Sequence, residues 1–370
     1  MHIKKQSTNK STNASYEKDP FNYITDTDIE KIYLKHDKTT GLKAIIAINS
    51  TIKGPALGGC RCIPYNSSFD AILDAIKLSK AMTLKAALVD IPIGGGKSVI
   101  INNENFIDRT KCFKVFGKFI QSLKGKYIVG IDCGTTVKDM DTIATQTSYV
   151  SCTSKMTGFT SFHTAMGIYE GMKASAKHLY NVDNLKGFHI AIQGVGDVGF
   201  FLCELLTKAG AKLTITDINK NNLNKCKQAF NTDVVSPESI YRVKCDIFSP
   251  CALGGTLNDE TIKTLQTKII AGGANNQLAH PKLSNALLNN NIFYAPDYVI
   301  NSGGLIFATI NYLYKNNPKN SEKINNLIKN IYNIITEIYK TQKLTQKPSD
   351  IIANEMAIKK LSFKQTNNNE

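Results

Sequence analysis

Apolar residues recur along the chain in two rhythms. From Ile45 to Ile52 (IIAINSTI) they form a compact run that predicts a strand, and a glycine-rich turn region, KGPALGGCRCIPY, follows it. Ser67-Ser68-Phe69-Asp70 has the form of a capping box. Phe69, Ile72, Leu73, Ile76 and Met82 then return at helical spacing, which predicts a helix ending near Lys85. AALVDIPIGGGKSVI predicts a short strand, a glycine triplet and a lysine, and YIVGI a strand that runs into the loop CGTT. Helices are predicted over about 110–123 and 164–180. The most regular stretch joins a strand FHIAIQG, a glycine turn, a helix over 200–210 and a strand AKLTITD. That order is a β-α-β unit, so a parallel sheet is implied, and CDIFSP, KIIAGGAN and FYAPDYVI are predicted to extend it. The tail from about Glu322 to Leu361 is predicted to be helical and to fold back on the first domain, and residues 1–18 to be loose.

At 370 residues the chain exceeds one comfortable core, so two domains are expected. The formal net charge of +15 raises the question of nucleic acid. The lysines are scattered among asparagines instead of forming one dense stripe, however, so the charge reads as solvated surface, with no nucleic-acid and no membrane partner. Nine cysteines, an odd number without a pair of CxxC motifs, argue against a metal site and suit a reducing, cytoplasmic compartment. The opening residues lack an apolar core, and no apolar run approaches about 18 residues, so neither a signal peptide nor a membrane span is expected.

Gly194-Val195-Gly196-Asp197-Val198-Gly199 matches GxGxxG and lies between a predicted strand and a predicted helix, the setting a dinucleotide requires. The first glycine permits the turn, the second lets the backbone approach a pyrophosphate, and the third lets the helix pack on the strand. The helix N-terminus would face the phosphates. Asp217 ends the next strand, where a carboxylate accepts ribose hydroxyls and repels a 2′-phosphate, so NAD is expected over NADP.

Lys85 and Lys97 flank DIPIGGG, and Asp132 ends YIVGI ahead of a Gly/Thr loop. Strand ends entering glycine loops are where α/β proteins place their chemistry. Two amines and a carboxylate could hold a substrate carboxylate and move a proton beside a nicotinamide; two surface lysines are the plainer reading of the same residues.

The blocks GPALGGCR, MTLKAALVDIPIGGGKSVI, GIDCGTTVKDMD and AIQGVGDVG…TITDIN, with AGGANNQL and APDYVINSGGLI, resemble the leucine/phenylalanine/valine branch of the wider glutamate dehydrogenase family, in order, over about residues 40–310. The resemblance implies a two-domain α/β protein with a cleft between the domains. Residues 1–150 plus about 325–370 would bind substrate and build oligomer contacts, and 151–324 would form a Rossmann-type NAD-binding domain. It further implies that Lys97 is the general base for water, that Asp132 carries protons to and from the amino group, and that Lys85 pairs with the substrate carboxylate. Gly58, Gly59 and Met82 would border the substrate. Thr164 would bond the nicotinamide carboxamide, and Ala274 and Asn275 would lie beside the cofactor. A homo-oligomer built from dimers, up to an octamer, is implied as well. A non-catalytic NAD or amino-acid sensor is the reading from another class.

By the same resemblance the substrate side chain would meet Leu57, Gly130, Leu305 and Ala308. The glutamate branch has a lysine where this chain has Leu57, and an apolar side chain cannot repay the desolvation of a distal carboxylate. Glycine at 130 with leucine at 305 resembles the phenylalanine-type combination, so an aromatic amino acid is expected first and leucine, isoleucine or valine second. The segment 150–163 is shorter than in the family, and Ile131 stands where a small or acidic residue is usual.

Overall fold

The computed structural model describes residues 28–102, 108–156, 158–315 and 317–367. The expectation for residues 1–18 lies outside them. The chain divides into two compact units: residues up to Thr83 with Pro92–Lys155, and Leu84–Ile91 with Met156 onward.

The first unit is built on a five-stranded sheet of order β1-β2-β4-β3-β5, with β1 Lys31–Asp37, β2 Leu42–Ser50, β3 Ala56–Ile63, β4 Gly94–Ile101 and β5 Tyr127–Ile131. β1 and β2 pair antiparallel, as do β2 and β4, whereas β3 runs parallel to both β4 and β5. Helix α1 (Ser68–Leu88) starts where the sequence placed it: Ser67 Oγ accepts from the Asp70 N–H at 3.0 Å and donates to its carboxylate at 2.8 Å. Its Ala71 and Ala75 pack against Ile45, Ala47, Val99 and Ile101 on one face of the sheet. On the other face α2 (Arg109–Ser122) and α3 (Val137–Ala144) bury Phe113, Phe116, Ile120, Met140 and Ile143 against Ile46, Cys60, Cys62 and Tyr127. The side chains of β3 alternate accordingly: Cys60 and Cys62 enter this core, and Gly59 and Arg61 face the other way.

The second unit carries a six-stranded, all-parallel sheet of order β11-β10-β9-β6-β7-β8. Its strands are β6 His189–Gln193, β7 Lys212–Thr216, β8 Asp233–Val234, β9 Ile247–Pro250, β10 Ile269–Ile270 and β11 Phe293–Tyr294. This is the two-winged order of dinucleotide-binding sheets. Helix α4 (Thr160–Tyr180) precedes it, α5 (Asp197–Lys208) follows the glycine turn, and α6 (Lys220–Ala229), α7 (Thr261–Thr264) and α8 (Lys282–Asn289) complete the crossovers. FYAPDYVI is a strand only at Phe293–Tyr294. After Pro296 it turns into the short helix α9 (Asp297–Ile300), and α10 (Gly303–Leu313) continues from it.

The tail forms two helices, α11 (Asn320–Thr345) and α12 (Ser349–Asn367). In α11, Ile324, Ile328, Ile331, Ile335 and Ile338 fall on one stripe and are buried, each contributing about 1.5–3 kcal/mol. That stripe lies on α4, where Tyr339 Oη meets Ser175 Oγ at 3.1 Å. The tail therefore groups with the second unit, whereas the resemblance implies a place with residues 1–150. An isoleucine stripe shows that a helix is amphipathic but not which surface it covers.

Candidate active site

In the first unit, the register of three parallel strands decides which side chains meet. Gly59 pairs with Gly130 across β3 and β5, and Cys60 pairs with Ser98 across β3 and β4. Lys97 of β4 and Asp132, just past β5, thereby converge over β3 on the face that Gly59 and Arg61 share. The Lys97 ammonium lies 2.6 Å from Asp132 Oδ2, and the two side chains are only 8% and 22% exposed. The glycines make this approach possible. A Cβ on Gly59 would lie 2.7 Å from both Asp132 Cβ and Ile131 O, and one on Gly58 would lie 1.8 Å from Gly96 O. Burial works to raise the Asp132 carboxyl, but the Lys97 ammonium and the Arg61 guanidinium outweigh it and hold the group below the usual carboxylate range. Thr135 fixes the loop by donating to Cys60 O and accepting from the Asp132 N–H at 3.0 Å each.

Of the expected substrate-facing positions in this unit, Leu57 is buried at 3% exposure and Met82 is half-buried on α1. Gly130 has room: a Cβ there would meet only Cys152 Sγ, at 3.7 Å.

In the second unit the glycine turn behaves as the motif requires. Gly194 has φ +94°, and a Cβ on it would strike Ala252 at 2.7–2.8 Å. A Cβ on Gly199 would lie 2.2 Å from Gly194 O, so helix and strand could not close with a larger residue. Gly196 has nothing within 4 Å of a Cβ position, and as N-cap of α5 it makes no side-chain cap bond. The turn thus offers open space at a helix N-terminus, which fits a pyrophosphate. Asp197 and Val198 begin α5, and Val195 donates its N–H to Asp217 Oδ2 at 2.8 Å. Asp217 Oδ1 accepts from the Asn219 N–H at 2.7 Å, which sets the carboxylate beside the turn where ribose hydroxyls would reach it.

Lys85, in the last turn of α1 and grouped with this unit, donates to Asn301 Oδ1 at 2.5 Å. The Asn301 amide in turn donates to Asn275 Oδ1 at 2.8 Å and to Gly273 O at 3.2 Å. One buried asparagine therefore ties the lysine to the loop after β10, beside the buried Ala274. Thr164, on the first turns of α4, donates to Thr160 O, and a Cβ on Gly304 would come within 2.6 Å of its hydroxyl. His163 stacks on Phe307 with ring centroids 4.1 Å apart and bonds Phe159 O at 2.8 Å, a structural role. Burial lowers its imidazole below the usual value despite that bond. Leu305 is half-buried and Ala308 buried on α10.

Two residues of these networks, Asn301 and Arg61, were not singled out by sequence reasoning, although both stand in the blocks VINSGG and GGCR. The available signal was a polar or charged residue inside an otherwise apolar or glycine-rich segment. Among the described residues there is no group of three or more metal-ligating side chains, all nine cysteines are free, and no helix is long and apolar enough to cross a membrane.

Comparison with known proteins gives the family. Residues 29–149 match the family model described as Glu/Leu/Phe/Val dehydrogenase, dimerisation domain, and residues 212–368 match Glutamate/Leucine/Phenylalanine/Valine dehydrogenase. The chain is 44% identical to a leucine dehydrogenase of Geobacillus stearothermophilus over 91% of its own length and 92% of the relative's. It is 40% identical to a phenylalanine dehydrogenase of Lysinibacillus sphaericus over 92% and 90% of the two chains. The crystal structure of L-tryptophan dehydrogenase from Nostoc punctiforme superposes with a TM-score of 0.82 at 36% identity, covering 94% of this chain and 99% of that one. A two-winged parallel sheet with an open glycine turn, a buried lysine–aspartate pair and relatives matched over nine-tenths of their length lead to one conclusion: the chain belongs to the Glu/Leu/Phe/Val dehydrogenase family, in its leucine/phenylalanine/valine branch, and is an NAD-dependent oxidoreductase acting on amino acids.

Proposed function

We propose that the protein catalyses the reversible oxidative deamination of a hydrophobic L-amino acid to its 2-oxo acid and ammonia, with a branched aliphatic side chain, leucine first, as substrate. The observation that carries this reading is the Lys97–Asp132 contact at 2.6 Å, a proton-transfer pair in a space cleared by glycines. Bound NAD supplies the acceptor for the hydride on the substrate Cα. The protein's own groups do the rest. Lys85, held by Asn301, binds the substrate carboxylate. Asp132 takes a proton from the substrate ammonium, so that the nitrogen lone pair is free when the hydride leaves. Lys97 then removes a proton from the water that adds to the imine carbon. It must enter this step neutral, because Asp132 already carries the proton of the substrate ammonium and cannot take a second. Asp132 returns its proton to nitrogen, ammonia departs, and the carbinolamine hydroxyl gives its proton back to the Asp132 carboxylate as the 2-oxo acid forms. The open turn at Gly194–Gly199 holds the pyrophosphate, Asp217 the ribose, and Thr164, Ala274 and Asn275 the nicotinamide end.

Leucine replaces phenylalanine at the head of the order reached from sequence, because similarity to the leucine dehydrogenase is greater than to the phenylalanine or tryptophan enzymes. Buried Leu57 supports an apolar side chain in either case. The space at Gly130 favours an aromatic side chain as the second reading. Differences of this size are worth about 1–3 kcal/mol, so they rank substrates without excluding neighbours. Oligomer contacts are assigned to residues 29–149, since that stretch matches a dimerisation-domain model, and a homo-oligomer built from dimers is the expected assembly. Nine free thiols support a reducing compartment.

The test is NADH formation from NAD with leucine, isoleucine, valine, phenylalanine, tyrosine, tryptophan and glutamate. The highest kcat/KM is expected with leucine, and activity with glutamate alone would sink the apolar-pocket reading. Lys97→Ala should retain NADH binding and lose turnover. Silence on all seven substrates with NADH still bound would favour a sensor.

A further inference from the structure

The Asp132 carboxylate carries a second cation that the proposed reaction does not use. Arg61 leaves β3 on the same face as Gly59, and its Nε donates to Asp132 Oδ2 at 3.2 Å, the oxygen that Lys97 also holds. Its Nη1 reaches both oxygens of Asp74 on α1, at 3.0 and 3.3 Å, and the Tyr65 hydroxyl donates to Asp74 Oδ2 at 2.6 Å. Burial and that bond push the Tyr65 phenol far up, so it stays a donor. The result is a chain of five side chains, Tyr65–Asp74–Arg61–Asp132–Lys97, whose three ion-paired inner links are each 22–26% exposed.

We propose that Arg61 is a positioning residue for proton transfer: pinned from behind by Asp74 and Tyr65, it holds Asp132 in register with Lys97 and limits how strongly that carboxylate binds a proton. This deepens the function proposed above and rests on it. The guanidinium fork spans two carboxylates in a fixed plane, which an ammonium cannot do. Two cations on one carboxylate oxygen weaken it as a base, so the strength of Asp132 depends on how Arg61 is shared with Asp74. Finally, the cluster is balanced, two cations against two carboxylates, so losing Arg61 leaves Lys97 facing both acids. The other titratable groups close to Asp132 are the Tyr127 hydroxyl and the Cys60 thiol beneath the sheet, both held neutral by burial, and the exposed Cys133 beside it.

The plain alternative is that Arg61 only bolts α1 to the sheet. The two readings separate in the pH profile of kcat/KM. Arg61→Gln should lower kcat roughly tenfold and move the acid limb to higher pH, because Asp132 protonates more readily with one cation gone. Asp74→Asn should move the limb the opposite way, since it releases Arg61 to Asp132 alone. Arg61→Lys should keep the limb near its original position while recovering only part of kcat. NADH binding, measured by fluorescence, should be unchanged in all three. A thermal midpoint that falls while every profile superimposes on that of the parent would overturn the proposal. Should Arg61→Gln not fold, Asp74→Asn and Tyr65→Phe decide alone, by whether the limb moves. Asp132→Asn and Lys97→Ala run as controls: full turnover in either would defeat the function reading itself, whatever Arg61 does.

Discussion

Gly59→Ala isolates the steric basis of the site. The added Cβ would lie 2.7 Å from Asp132 Cβ and from Ile131 O, and 3.2 Å from Ile131 C. Ordinary contact begins near 3.4 Å, so the end of β5 must retreat by about 0.7 Å, the difference between 3.4 and 2.7 Å. None of these three atoms is the far end of a flexible side chain, so the strain cannot be absorbed locally. If the displacement passes to the carboxylate, the 2.6 Å contact with Lys97 opens to about 3.3 Å. Misplacement by about 1 Å costs a reaction on the order of 100-fold; a displacement of 0.7 Å should therefore lower kcat by about 10- to 50-fold. NADH binding, which depends on the second unit, should stay intact. The assay is steady-state NADH formation beside an NADH titration read by the cofactor's own fluorescence, a clean signal because the chain has no tryptophan. Gly130→Ala is the matched control, since its Cβ meets a single sulfur at ordinary distance. Parental kcat in Gly59→Ala would refute the argument that glycine is there to admit the carboxylate.

Gly130→Ala should leave the fold and kcat for small aliphatic substrates intact while reducing kcat/KM for phenylalanine relative to valine about tenfold or more; an unchanged ratio would remove position 130 from the side-chain pocket. Asp217→Ala removes the acceptor of the Val195 and Asn219 amides; on the proposed ribose role of Asp217 the Kd for NADH should rise roughly tenfold or more and the gap to NADPH should narrow, and equal affinities before and after would contradict that role. Acid stability follows from the ion pairs. Asp132 and Asp139 titrate below the usual range, burial working against this and Lys97 or Arg109 prevailing, so their stabilisation is complete above the ordinary carboxylate range and is lost as pH falls through their own lower values. Thermal midpoints should accordingly drop in acid, and Asp139→Asn should flatten that dependence; an identical slope would argue that other groups govern acid unfolding.

Much of this protein was legible one residue at a time. The strand–glycine–helix–strand order at 188–217 required only local periodicity and turn chemistry, and the helix at Ser68–Leu88 followed from capping and a helical stripe. GGGK, GTT and the strand ends marked the segments that the proposed site uses, because glycines admit ligands and strand ends leave loops free to bind them. What the sequence could not supply was partnership between distant residues. Arg61 and Asp132 are 71 positions apart, and Lys85 and Asn301 are 216 apart; the strand order β4-β3-β5 joins the first pair, and the packing of the second unit joins the other. The destination of the C-terminal helices was equally undetermined, since a row of isoleucines fits any apolar surface until Tyr339 and Ser175 meet. Local pattern sets which segment becomes helix or strand and which residue types stand at its ends; register and layer packing, which depend on the whole chain at once, decide which charge faces which.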